Sequence, residues 1–205
     1  NNPEAILQLH KDFIAAGSDI ILTCTFGGNR IRLAHSGLEQ QQQEINQKAV
    51  TLAKQAAAAH NILVAGSLGP AGEMLEPFGT LTEDDAFSLY QNQARILLDA
   101  GVDLLVIETQ YQLEEAIKAV EAVRSLSDIG LVCSFSYDRG TRTMMGLKPA
   151  QVTEAFNDLA VDVIGVNCGK SLEDNLAVLQ TYISSSSKPI WFKPNAGMPG
   201  TNENG

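Results

Sequence analysis

Six short runs of apolar and β-branched residues recur along the chain, each ending in polar residues or glycine. They are DIILTCTFGG (19–28), NILVAGSLGP (61–70), VDLLVIETQ (102–110), IGLVCSFSYD (129–138), VDVIGVNCG (161–169) and KPIWFKPNAG (188–197). Nearly continuous apolar runs of this length predict strands buried on both faces, as in a parallel sheet covered by helices. The segments between them change period. EEAIKAVEAVRSL carries Ile117, Val120, Val123 and Leu126 at helical spacing, and SLEDNLAVLQTYI does the same with Leu172, Leu176, Leu179 and Ile183. Such stripes predict the helix faces that meet a core.

Helix ends are marked as well. Asn2 is a candidate N-cap before Pro3 and Glu4, with Gly17 as the stop. Thr82 with Asp85, and Ser171 with Asp174, have the spacing of capping pairs, and Gly101 closes the helix that begins after Thr82. The predicted order is one helix, then strand and helix five times, then a sixth strand. Strand starts lie roughly 27 to 42 residues apart, the spacing of βα units.

Two architectures fit that order, an open doubly wound sheet and a (β/α)₈ TIM barrel. TCTFGGNR after the first strand is not a dinucleotide-binding glycine pattern, and no Walker A motif occurs. Uniform repeats with polar residues at the strand C-termini favour the barrel. A barrel has eight strands and typically ~250 residues. The expectation is therefore an incomplete α/β barrel: residues 1–205 as a single domain truncated at both ends, with a strand missing before residue 1 and at least one strand and helix after residue 205.

Composition changes this picture little. Hydrophobic residues make up 44% of the 205, enough for one sizeable core. The net charge of −10 argues against a nucleic-acid partner. No apolar run approaches the ~18 residues of a membrane span. The N-terminus has no basic-then-apolar secretory signal. Three cysteines are too few for a disulfide framework, so a cytoplasmic location is expected.

In a barrel the strand C-termini line the active site. The polar residues there are Thr23, Cys24, Thr25 and Asn29; Ser67; Glu108 and Thr109; Ser134 and Ser136; Asn167 and Cys168; Lys193 and Asn195. His10, His35 and His60 all fall in or beside predicted helices, which disfavours His-based acid–base or Ser-His-Asp chemistry. Cys168 reads as packing, nucleophile or metal ligand. No adjacent base supports the nucleophile, and no C-x-x-C or H-x-x-x-H spacing supplies a complete metal site. Cys133 lies deeper in its strand and reads as core. Glu108, a charge ending an apolar strand, is either a structural ion-pair partner or an anchor for a cationic group. The glycine-rich AGSLGPAGE (65–73) is a tight turn or an anion cradle.

Taken together, AGSDIILTCTFGGNRIRLAHSGL, VAGSLGPAGEML, AGVDLLVIETQYQLEEAIKAV, GLKPAQV, IGVNCGKS and KPNAGMP resemble the homocysteine S-methyltransferase family. That family includes the homocysteine-binding module of cobalamin-dependent methionine synthase, betaine–homocysteine methyltransferase and the S-methylmethionine-dependent enzymes. The resemblance implies a (β/α)₈ barrel with zinc at the strand C-termini. Its Gly-x-Asn-Cys segment makes Cys168 a zinc ligand, and the partner cysteines, an adjacent pair after the last strand, are expected beyond Gly205. It implies that Glu108 binds the ammonium of homocysteine and that backbone N–H groups near the turns receive its carboxylate. Ser67, Asn167 and Thr25 are the further substrate-binding candidates, and no catalytic acid or base is implied. The methyl donor is a methyl-corrinoid on a separate module, S-methylmethionine or betaine. Where the family often has Thr-Asn-Thr-Phe, this chain has Cys24 in the second position, which leaves that residue's role open. The alternative is a catalytically incomplete amino-acid-binding or scaffold barrel that cannot close a zinc site.

Overall fold

A computed structural model describes residues 2–195 and 197. Ala196, in the last predicted strand run, and the polar tail PGTNENG lie outside the described residues. The elements alternate as expected. They are α1 (Pro3–Ala15), β1 (Ile20–Leu22), α2 (Arg30–Ala34), α3 (Gln42–Ala57), β2 (Leu63–Leu68), α4 (Glu83–Asp99), β3 (Leu104–Gln110), α5 (Leu113–Arg124), β4 (Gly130–Phe135), α6 (Pro149–Asn157), β5 (Val163–Cys168), α7 (Leu172–Ser185) and β6 (Ile190–Pro194). The caps read from sequence are present: Asn2, Thr82 and Ser171 each accept a backbone N–H from the residue three positions on.

All strands are parallel, in the order β1-β2-β3-β4-β5-β6. A doubly wound sheet reverses its strand order at a switch point; this one never does, so every crossover advances in one direction and the sheet curls. Across a flat sheet β3 and β6 would lie about 14 Å apart, three strand spacings. Yet Glu108 on β3 and Lys193 on β6 form an ion pair at 2.7 Å. Residues of β1 (Ile20, Ile21, Leu22) and β6 (Trp191, Lys193) also line one cleft of about 310 Å³. The described residues form a curled half-barrel.

Alternation along the strands divides the core in two. Ile21, Val64, Leu105, Ile107, Leu131, Cys133, Ile164 and Val166 face outward into the large cluster made with the helices. Ala65, Val106 and Val132 face inward, joined by Ile20, Leu22, Leu104, Val163 and Trp191, in a cluster that contains no helical residue. Gly165 on β5 belongs to this crowded inner face. A Cβ there would lie 2.5 Å from the Trp191 carbonyl oxygen and 3.0 Å from Ser134 Cβ. Aspartates at the strand starts tie neighbours together: Asp103 accepts the Val64 N–H at 2.7 Å, and Asp162 accepts that of Leu131 at 2.8 Å.

One helix face agrees with the sequence expectation and one differs from it. In α5 Ala116, Ala119, Val120 and Val123 are buried, and Ile117, with Leu126 just past the helix end, packs half-buried against the same core. In α7 the core face is Asn175, Val178 and Tyr182. Leu172, Leu176 and Ile183 are 55%, 44% and 58% exposed. The leucine spacing is helical, but it marks the outer face.

The loop after β2 is fixed from below by buried polar groups on helices. The Glu115 carboxylate on α5 accepts the Ala71 N–H at 2.6 Å and the Tyr90 hydroxyl at 2.7 Å. Gln112 accepts the Leu75 N–H, and Gly69 N–H donates to the Phe26 carbonyl. The anion cradle suggested by AGSLGPAGE is therefore turned inward, with a carboxylate of the protein already on it. On the neighbouring loop, Gln93 of α4 and Asn46 of α3 hold the carbonyls of Thr25 and Gly28. Burial raises the Glu115 pKa above the ordinary carboxylate value, opposed by its two hydrogen bonds and the Arg32 charge.

Two stability tests follow from this packing. Gly165→Ala is expected to cost roughly 1–3 kcal/mol by overpacking against Trp191 and Ser134, measured by urea denaturation. Glu115→Leu, which strands the Ala71 N–H and the Tyr90 hydroxyl, is expected to cost about 2 kcal/mol or more. Glu115→Gln keeps an acceptor for both and should be far milder. Because the folded-state pKa is raised, the contribution of the Glu115 carboxyl is fully present below its unfolded pKa and is lost as pH rises through the folded value. The wild type should therefore lose stability relative to Glu115→Gln between acid and neutral pH. Parallel pH curves for the two proteins would contradict the assignment.

Candidate active site at the strand C-termini

Polar residues at the ends of β2, β3, β5 and β6 converge inside the curl. Glu108 is buried, its side chain 9% exposed, and both carboxylate oxygens are engaged. Ser67 on β2 donates its hydroxyl to Oε1 at 2.5 Å, and Lys193 on β6 donates to Oε2 at 2.7 Å. Behind Ser67, the Thr25 hydroxyl donates to the Ser67 carbonyl at 2.7 Å and pairs with the Thr23 hydroxyl, which accepts the Ser67 N–H. Thr25 and Ser67 are thus buried braces that fix where the carboxylate sits.

Asn167 organises the other half. Its Oδ1 accepts the Thr109 N–H at 2.9 Å and the Ser134 hydroxyl at 2.7 Å. Its Nδ2 donates to Thr109 Oγ1 at 2.8 Å and to Cys168 Sγ at 3.1 Å. A side-chain amide offers two donor hydrogens and two acceptor lone pairs, and all four are used here. One buried amide therefore joins the residue after Glu108 to the sulfur of Cys168.

The backbone at both contacts is unusual. Thr109 has φ 63° and Cys168 has φ 59°, the two non-glycine residues with positive φ among the described residues. For a β-branched residue such as threonine this is an outlier, and each such residue costs of order 1–3 kcal/mol. At Thr109 it interrupts the β3–β4 pairing, whose register shifts between Ile107 and Gln110. At Cys168 the strained carbonyl is held twice, by Asn175 Nδ2 at 2.8 Å and by the Asn195 N–H at 3.1 Å. Gly169 follows with φ 78°, where a Cβ would collide with the Asn175 amide. This pair of left-handed residues turns the chain sharply and leaves Cys168 half-exposed at the rim.

The remaining candidates separate clearly. Cys133 is fully buried in the outer core, and burial pushes its thiol far above the range in which it ionises. Cys24 is exposed just past β1, with its thiol pKa raised by burial of its surroundings. Asn29 caps α2 and reaches the Pro70 carbonyl. Ser136 is bonded to Asp138 in the loop after β4. His10 is buried in α1 with its pKa lowered by burial, and His35 and His60 follow the ends of α2 and α3. No histidine joins the polar cluster described here. Among the described residues no three His, Cys, Asp or Glu side chains gather as a metal site. Also among them, no helix is long and apolar enough to cross a membrane.

Sequence reasoning did not single out Asn175, Glu115, Gln93 or Asn46. Each sits at a core-face position of its helix, in register with Val178 and Tyr182, with Ala119, with Ala86 and Leu97, and with Val50 and Ala53. A polar residue on an apolar stripe was the available signal.

Known proteins resemble this chain in sequence and in fold. The pig (Sus scrofa) betaine–homocysteine S-methyltransferase 1 is 28% identical over 171 residues, which is 82% of this chain and 60% of the pig protein. The metallated form of the homocysteine methyltransferase MmuM from Escherichia coli superposes with a TM-score of 0.85 at 26% identity, over 96% of this chain and 74% of that one. A dihydrodipicolinate synthase from Agrobacterium tumefaciens, 18% identical with a TM-score of 0.57 over 93% of this chain and 57% of its own, shares the fold. The sequence profile of the homocysteine S-methyltransferase family matches residues 1–205, and the chain belongs to that family.

Proposed function

We propose that the protein containing this chain transfers a methyl group to the sulfur of homocysteine, forming methionine, with zinc as its metal. The observation that carries this reading is the Asn167 amide, which couples the backbone next to Glu108 to the Cys168 sulfur. An acid anchor and a soft metal donor are thereby held as neighbours, as an amino acid with a thiol side chain requires. Glu108, desolvated and braced by Ser67, takes the substrate ammonium. Thr25 fixes Ser67, and Asn167 sets the orientation of Cys168. Cys168 supplies one thiolate to zinc, and the other donors come from outside the described residues.

A free thiol is mostly protonated at neutral pH and a poor nucleophile. Bound zinc would hold the substrate sulfur as thiolate, the role thiolate-ligated zinc with an open position can serve. The sulfur–carbon bond then forms as the donor–methyl bond breaks and its electron pair leaves with the donor. No proton need be moved by a side chain in that step, and among the described residues no histidine is hydrogen-bonded to the cluster. The donor is a methyl-corrinoid, S-methylmethionine or betaine. Each is distinguishable by supplying it singly to the full-length protein.

The lone donor among the described residues favours a second reading, an amino-acid-binding barrel that closes no zinc site. Cys168→Ser separates the two. In the full-length protein, metal analysis should find about one zinc per chain, and Cys168→Ser should lose both the zinc and at least ~100-fold of homocysteine-dependent methyl transfer while keeping its fold. A zinc-free wild type that still binds homocysteine would establish the second reading.

A further inference from the structure

Glu108 already carries a cation. Lys193 Nζ donates to its Oε2 at 2.7 Å, while Ser67 holds Oε1. A substrate ammonium brought to the same carboxylate meets a like charge, which is unfavourable at close range unless a second anion arrives with it. Either Lys193 is a competitor that must leave, or the ligand supplies that anion itself.

The geometry points to the second. Lys193 projects from strand β6 rather than from a loop, paired in register with Asn167 of β5, so its stem is fixed by the sheet. Its ammonium has three donor hydrogens. Among the described residues Glu108 is its hydrogen-bond partner, and the side chain remains 40% exposed, which leaves donors facing the open side of the site. Each oxygen of Glu108 has a second lone pair, so an incoming ammonium need not displace Lys193. In the loop after β2, the backbone N–H groups of Gly69, Ala71 and Leu75 are already taken by the Phe26 carbonyl, Glu115 and Gln112.

We propose that Lys193 receives the carboxylate of the amino acid whose ammonium Glu108 takes. The ion pair is then a clamp for a zwitterion: Glu⁻ and Lys⁺ meet NH₃⁺ and COO⁻, and the four charges alternate. Such a clamp selects α-amino acids over amines that carry the same sulfur chain. This inference rests on the reading of Glu108 given under Proposed function.

The test compares two thioethers that need no metal-bound thiolate: L-methionine and 3-(methylsulfanyl)propan-1-amine, which is methionine without its carboxylate. Calorimetric titration of the full-length protein should give at least about tenfold tighter binding of L-methionine than of the amine. Lys193→Met should lose about tenfold or more of the methionine affinity and leave the amine unchanged or tighter. Lys193→Arg, which keeps the charge, should retain most of the preference. Methionine binding that is unchanged or tighter in Lys193→Met would overturn the clamp. So would an equal loss for both ligands, because Lys193 would then only brace Glu108. Glu108→Gln tests the underlying reading: if it leaves methionine binding intact, the ammonium anchor fails and the clamp with it. A large effect of Glu108→Gln with a silent Lys193→Met rejects the clamp alone.

Discussion

The fully saturated amide of Asn167 is the constraint on which the rest of the site depends. It sits buried between the ends of β3 and β5 and bonds to Thr109, Ser134 and Cys168 at once. Both Thr109 and Cys168 hold backbone conformations that ordinary residues avoid. Such strain persists only where the surroundings over-determine it. Here the surroundings are explicit: two bonds from the amide to Thr109, two bonds to the Cys168 carbonyl, and a glycine behind it. The position of the Cys168 sulfur and the exit of the chain beyond Glu108 are therefore not independent. Any change that moves one must break bonds to the other.

This constraint works because the curled sheet stacks apolar and polar residues in order along the interior. Ala65, Val106 and Val132 form an apolar floor, and Ser67, Glu108, Ser134, Asn167 and Lys193 follow at the strand C-termini. A carboxylate above an apolar floor has few partners to choose from, so its two bonds define its position closely. The helices contribute from outside. Glu115, Gln93 and Asn46 reach the loops after β2 and β1 from below and satisfy backbone groups that would otherwise be stranded. The loop that most resembles an anion cradle is thereby turned into a wall, and recognition of charge is left to side chains on strands.

Much of this was legible in the residues. The six apolar runs gave the strands, and Asn2, Thr82 and Ser171 gave helix starts, because both signals are local: a period, and a side chain that caps its own helix. Glu108 and Cys168 were visible because a charge or a thiol ending an apolar strand has few structural excuses. What was not legible depends on contacts distant in sequence. Asn167 reads as a residue beside the substrate, and only its hydrogen bonds with Thr109, 58 residues away, reveal it as a brace. The stripe of Leu172, Leu176 and Ile183 has helical spacing, but spacing alone does not say which face meets the sheet. Val178 and Tyr182 take the inner side. Lys193 opens KPNAGMP and reads as one more polar strand end, and its pairing with Glu108 comes only from the curl that brings β6 to β3.

That curl also decides what kind of chemistry suits the site. The cluster has a carboxylate, an ammonium, a thiol and hydroxyls, and no imidazole joins it. General acid–base catalysis at neutral pH draws on groups that titrate near 7, most often histidine. A site that instead fixes opposite charges in place, over an apolar floor, contributes through orientation and electrostatic preorganisation. Transfer of an alkyl group between a leaving group and a soft nucleophile asks for little more: the two reacting atoms must be aligned, and the nucleophile must be kept deprotonated. In the proposed function, the opposite charges of Glu108 and Lys193 would address the first need by orienting a zwitterion along one axis. The Cys168 sulfur at the strand end, held by an amide and a strained turn, would address the second as the proposed zinc ligand. Residues of β3, β5 and β6 meet because parallel strands in a curled sheet deliver all their C-termini to the same rim.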